Sequence, residues 1–326
     1  MTTLRFTLLL ALALAPTGGT LRAADIDPLV PPDTEGYLGI NVKAALESPL
    51  EQLLPSLKDA LDDLPIAKEA FSELGFDPLK DLHRLIFASA GGTDTDRGLV
   101  IAHGTFDAAK FEKRAKEAAE NNGDVFKIHE VRLGADATVN VWEVIVTGQD
   151  MSIFVALVSN KILVASPGKD YVIDAIKQHR SKKKATLKNK AFQALVENID
   201  AKQTVSVAFL GKALAAAAGD ALPAGVTDAL AKVEAVGGGL TIGKEVKLDL
   251  LVTSKDADSA DSIRKTLDKS AKIGMIGLAL LVEGRKELEV LLEVVKTIKV
   301  GGKAKVVSVS ARLTADMLKD FFEKDE

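Results

Sequence analysis

The strongest constraint on this chain is a set of apolar runs joined in pairs by a few turn-forming residues. Leu82 to Ala90 and Leu99 to Phe106 flank Gly91-Gly92-Thr93-Asp94-Thr95-Asp96. Val236 to Ile242 and Val246 to Thr253 flank Gly243-Lys244-Glu245. Thr297 to Val300 and Lys303 to Leu313 flank Gly301-Gly302. Strands joined this closely pair antiparallel, because a parallel partner needs a long crossover. Helical stretches separate the pairs. One starts at Asp107 and stops at Gly123, one runs from Ser166-Pro167-Gly168 to about Gln178, and one runs from Asp256 or Asp258 to about Lys272. Asp and Ser accept from the free N–H groups of a first helical turn, and Gly tolerates the conformation that ends one. The pattern predicts an α+β fold of mainly antiparallel sheets with helices packed on one face.

The order of elements occurs twice. Strand 36–42 corresponds to 204–210, and the pair 82–90/99–106 to 236–242/246–253. Helix 107–121 corresponds to 256–272. The pair 151–158/161–166 with helix 168–178 corresponds to 297–300/303–313 with helix 314–323. Where the first half has strands 125–131 and 138–146, the second has a long helix near 274–296. Further helices are expected at 43–61, 64–74, 211–218 and 224–233. The expected organisation is therefore a signal peptide over 1–23, a first α+β repeat over 24–184 and a second over 185–326. The repetition lies in element order, not in a fixed residue period.

The amino-terminal residues bear on location. Arg5 precedes an apolar run, Phe6 to Ala15, and Pro16, Gly18 and Gly19 follow. Leu21-Arg22-Ala23 then offers a cleavage site, which is the order of a secretory signal. The run is too short to span a bilayer. The chain has no cysteine, which excludes a lipoprotein anchor, disulfides, thiolate nucleophiles and zinc–cysteine or iron–sulfur sites. A net charge of -4 argues against general nucleic-acid binding. Apolar residues at 47% and charged residues at 27% are globular values, so packing alone must hold the fold.

No catalytic signature survives inspection. Gly238-Gly239-Leu240-Thr241-Ile242-Gly243-Lys244 has the glycines and lysine of a phosphate loop. Glu245 and a strand follow, however, where a hydroxyl and a helix N-terminus are required. The glycines are better read as permitting close packing over a strand. His83, His103, His129 and His179 show no metal-ligand spacing, although His103 and His129 lie on strands that could bring them together. Asp94 and Asp96 resemble calcium-loop spacing but lack its glycine and terminal glutamate. Asp256 and Asp258 are explained as helix caps. His179-Arg180-Ser181-Lys182-Lys183-Lys184 reads as a solvated linker, with an anionic contact as the alternative. Ile273 to Val282 suits a helix buried on all sides, with a hydrophobic docking or lipid-contact helix as the alternative. No catalytic, cofactor or metal residue is assigned.

Four stretches carry a family resemblance. They are Asp33-Thr34-Glu35-Gly36-Tyr37-Leu38-Gly39-Ile40-Asn41-Val42, Gly75-Phe76-Asp77-Pro78-Leu79-Lys80-Asp81-Leu82, Gly98-Leu99-Val100-Ile101-Ala102-His103-Gly104-Thr105-Phe106-Asp107 and Val164-Ala165-Ser166-Pro167-Gly168-Lys169-Asp170-Tyr171. In these the chain resembles a family of exported, uncharacterised proteins of planctomycete-type bacteria. That family has no assigned activity, so the resemblance implies export and a duplicated scaffold only. The expected function is non-catalytic binding in the periplasm or cell envelope, with no nucleic-acid partner and no transmembrane span after cleavage. An open sheet face or a cleft between the halves would contact protein or an apolar ligand. The alternatives are a hydrolase whose site assembles only in three dimensions and a structural envelope component.

Overall fold

The turn-joined runs do form antiparallel pairs, and these build the fold. The computed structural model describes residues 26–48, 76–91, 95–134, 137–146, 148, 151–200, 202–218, 230–281, 286–314 and 316–317. The expected signal peptide 1–23, most of helix 43–61, all of helix 64–74, residues 224–229 of helix 224–233, Asp94 and most of helix 314–323 lie outside the described residues; Ala231 and Lys232 form a turn and Val233 begins a strand, so the helix expected to 233 ends earlier. Twelve strands and eight α-helices are described. The chain divides into two compact units, one of Asp25–Leu46 and Pro55–Asn189, the other chiefly of Lys190–Glu326.

In the first unit the strands are β1 (Gly36–Asn41), β2 (Leu82–Ser89), β3 (Gly98–Gly104), β4 (Phe126–Arg132), β5 (Thr138–Val146), β6 (Met151–Ser159) and β7 (Ile162–Ser166). Their order across the sheet is β1-β2-β3-β7-β6-β5-β4, and every pair is antiparallel. The helices are α1 (Val42–Leu46), α2 (Pro78–Asp81), α3 (Ala108–Asn121) and α4 (Lys169–Arg180). Asp107 caps α3 by accepting from the Lys110 N–H at 3.1 Å.

The strand register assigns each residue to a face. On one face Leu85, Ala102, Leu163, Val155 and Trp142 pack with Phe111 and Ala115 of α3. On the other, Ile86, Ile101, Val164, Ala156 and Val141 are completely buried. α4 packs on β3, β7 and β6 and buries Val172, Ala175 and Ile176. In the chain before β1, Leu29 and Val30 are completely buried. Gln178 of α4 donates to the carbonyls of Pro28 at 2.7 Å and Val30 at 3.2 Å. Asp27 lies 2.6 Å from His103 Nε2.

The second unit contains β8 (Val205–Leu210), β9 (Val233–Ile242), β10 (Glu245–Ser254), β11 (Lys299–Lys303) and β12 (Val306–Thr314). Their order is β11-β12-β10-β9-β8, again with antiparallel pairs. Its helices are α5 (Lys190–Glu197), α6 (Gly211–Ala218), α7 (Ala257–Leu281) and α8 (Lys286–Thr297). Ala260 and Ile263 of α7 pack on Leu248, Leu250, Val252, Val307 and Val309. α5 lies on the opposite face, where a Cβ on Gly237 would come within 2.7 Å of Leu195 Cγ.

Helix placement on one face is therefore corrected in both units. The strands of each unit carry helices on both faces, because alternating residues are apolar on both sides and neither set can be left in water. A second correction concerns α7. It runs through Gly274 to Leu281, where a break near Lys272 was expected. A glycine inside a helix costs only about 1 kcal/mol, and the surrounding Lys, Ile, Met, Leu and Ala favour the helix.

Candidate functional site

α3 leaves a groove on its face of the sheet. The groove is about 350 Å³, walled by Phe111 and Ala115 of the helix and by Phe126, Trp142 and Val155 of the strands. Strand alternation puts these residues together. Trp142 pairs with Ile128 of β4 and with Val155 of β6. Opposite residues in a sheet point the same way. The rings continue inward from the groove. Phe111 stacks on Trp142 at 6.1 Å, meets Phe106 edge-on at 5.9 Å, and Phe106 stacks on Phe76 at 5.3 Å. This series fixes the Trp142 indole.

Arg114, Glu117, Asn121 and Asn122 form the polar rim. Arg114 donates to Glu117 at 2.7 Å, and that bond holds the Glu117 carboxyl below its usual value. Trp142 is 6% exposed, and among the described residues its buried Nε1–H has no hydrogen-bond partner. Beyond α3 the same face stays partly open: Phe87 is 38% exposed, Val144 37% and Met151 38%. The site is thus apolar with few polar groups, suited to an apolar body.

The nucleophile-bearing cluster of this unit lies on the opposite face. Glu143 accepts from Ser152 Oγ at 2.8 Å and lies 2.7 Å from His129 Nε2. The carboxylate separates serine from imidazole, so His129 cannot take the Ser152 proton as a nucleophile–base pair requires. The His129 hydrogen bond, then that of Ser152, holds the Glu143 carboxyl low.

The other residues singled out in the sequence are dispersed. His103 and His129 do not meet, since β7, β6 and β5 lie between β3 and β4; each contacts its own carboxylate. Among the described residues no group of three His, Asp or Glu side chains could hold a metal ion. Gly238 and Gly239 lie inside β9 and face neighbouring strands. Asp256 accepts from the Ser259 N–H at 2.7 Å as a cap. Arg180, the last residue of α4, and Ser181 to Lys184 after it are exposed, where positive charge suits the helix dipole. Ile273 and Ile276 of α7 are 58% and 63% exposed. No described helix is long and apolar enough to cross a membrane. The groove residues were not singled out in the sequence. Their signal is the one tryptophan, within an alternating strand.

The fold and groove describe an α+β scaffold with an apolar recess. No family model matches the chain, and no curated protein matches it. Among solved structures it is similar to crystal form I of TP0453, with a TM-score of 0.50 and 10% identity, over 93% of this chain and 98% of that one. At that identity the likeness is one of fold.

Proposed function

We propose that this chain is a non-catalytic binding protein of the periplasm or cell envelope, and that the groove beside α3 is its binding site. One observation carries the reading: an apolar recess is walled by Phe111, Phe126, Trp142 and Val155, with Arg114, Glu117, Asn121 and Asn122 at its rim. A ligand with an apolar body and a polar end would fill the recess and meet that rim. The Ser152–Glu143–His129 order weighs against the hydrolase alternative. Export rests on Arg5, the run Phe6–Ala15 and the small residues after it.

We also propose that the scaffold is a duplication. The order β1-β2-β3-β7-β6 has the same connectivity as β8-β9-β10-β12-β11. In each unit a helix follows the first strand and another follows the third. The β4–β5 hairpin takes the place of α8. Failure of these five strand pairs to superpose in an experimental structure would sink this proposal.

The site is tested by titrating the protein with 1-anilinonaphthalene-8-sulfonate while following Trp142 emission. Quenching of Trp142 with saturable dye fluorescence is expected. Ala118→Phe, at the open side of the groove, should abolish both while leaving circular dichroism unchanged. Equal dye binding by the variant would refute the placement. Cell fractionation, with the mature N-terminus sequenced, tests export.

A further inference from the structure

The strands at the two ends of the strand order, β11 and β4, differ in a way that bears on what binds beside the groove. β11 is short, contains Gly301 and Gly302, and has Lys299 and Lys303 at its ends. Short, glycine-containing, lysine-flanked edges resist pairing with other chains. β4 carries the charged residues Lys127, Glu130 and Arg132, but it is longer, with seven residues, Phe126–Arg132, no proline or glycine and an unbroken register against β5.

The hydrogen-bond phase of β4 is set at its two ends. Ile145 N–H donates to Val125 O at 2.8 Å, and Leu133 N–H donates to Ala137 O at 2.7 Å. Alternation between those points gives Lys127, His129 and Val131 to the β5 ladder. It turns the N–H and C=O of Ile128 and Glu130 away from β5. Phe126 N–H is already used, donating to Asn122 O at 2.9 Å. Neither Ile128 nor Glu130 has a backbone partner among the described residues. The side chains of Phe126 and Ile128 are on the groove face, opposite Val144 and Trp142.

We infer that β4 is a docking edge for an extended segment of a partner polypeptide, which adds as a strand along Phe126–Arg132. Unpaired N–H and C=O groups at strand spacing recognise one kind of occupant, another extended backbone. Alternate side chains of that segment lie over Ile128 and Phe126, at the mouth of the groove. The inference deepens the binding function proposed above by naming its partner class, and it can fail while the groove stands.

The probe is an array of N-acetylated, C-amidated decapeptides with Val, Leu or Phe fixed at alternate positions, the tightest binder being carried into solution. Glu130→Pro removes one outward N–H and leaves the β5 ladder intact, since proline is tolerated at such edge positions. It should weaken the peptide roughly tenfold, the scale of one or two lost hydrogen bonds. Glu130→Ala should stay within about twofold. Dye binding in the groove should be the same in both variants. In the unsubstituted protein, peptide should slow amide hydrogen exchange at Ile128 and Glu130; that measurement stands even if the proline variant does not fold. Equal peptide affinity in Glu130→Pro, equal losses in both variants, or no peptide binding by a protein that binds dye would each overturn the inference. Protection of the same amides by rising protein concentration alone would assign the edge to a second copy and also overturn it.

Discussion

Adding one methyl group to different glycines of this chain should have opposite effects. Gly238 has φ +150°, and a Cβ there would sit 2.0 Å from the Asp249 carbonyl oxygen and 2.7 Å from Leu250 Cα. Backbone φ in that region costs a non-glycine residue about 1–3 kcal/mol. The carbonyl belongs to β10 and cannot swing aside, so β9 and β10 must part by roughly 1 Å to restore an ordinary contact. That weakens about two ladder bonds, at roughly 0.5–1.5 kcal/mol each. Gly238→Ala should therefore cost about 2–6 kcal/mol. At roughly 3 °C per kcal/mol, the melting temperature should fall roughly 6–18 °C. Gly274 and Gly277 lie within α7, and nothing lies within 4 Å of a Cβ at either. Alanine at either should stabilise by about 1 kcal/mol through helix propensity, raising the melting temperature by roughly 3 °C. Thermal melts followed by far-ultraviolet circular dichroism read all three variants; Trp142 lies in the other unit and reports poorly on this one. A Gly238→Ala protein melting within a degree of the parent would refute the close-approach argument. Destabilisation by Gly274→Ala would mean that this face of α7 is in contact with something.

Three other outcomes follow from named contacts. The Asp27 side chain is 8% exposed; burial works to raise its pKa, but His103 and the Leu29 N–H outweigh that and hold it below 3.8. Its stabilisation is present above the unfolded value and is lost as pH falls through the lower folded one. Asp27→Asn should cost about 1–3 kcal/mol near neutral pH and flatten the acid limb of a urea-denaturation series; an unchanged limb would refute the pairing. Tyr171 donates to Asp33 at 2.6 Å, and burial, then Asp33, holds its phenol well above the usual 10.0. Of the two tyrosines, ultraviolet titration should find one ionising late, and Asp33→Asn should bring it down; the stability from that bond is present below the ordinary phenol value and is lost as pH rises toward the folded one. Phe192 of α5 is completely buried, so Phe192→Ala should cost about 3–5 kcal/mol in urea unfolding, and a loss under 1 kcal/mol would contradict its packing.

Much of the fold was legible because its signals are local. The turn residues at Gly243-Lys244 set the β9–β10 pairing, and Asp107 and Asp256 mark helix starts that their side chains do cap. The groove was not legible. Phe126 follows Phe111 by no readable rule, and the two meet only because β4 folds back under α3. The pairing of His129 with Glu143 and Ser152 was equally hidden, since these residues lie on three different strands.

Local signals are enough for an α+β chain with antiparallel hairpins and capped helices, held together without disulfides, because turns, caps and alternation act within a few residues. Long-range packing settles that helices cover both faces of the strands in each unit, that Trp142 walls a groove beside α3, and that β4 is an outer strand. Those outcomes depend on which distant segments share the limited apolar surface, and that competition is settled by packing the whole unit at once.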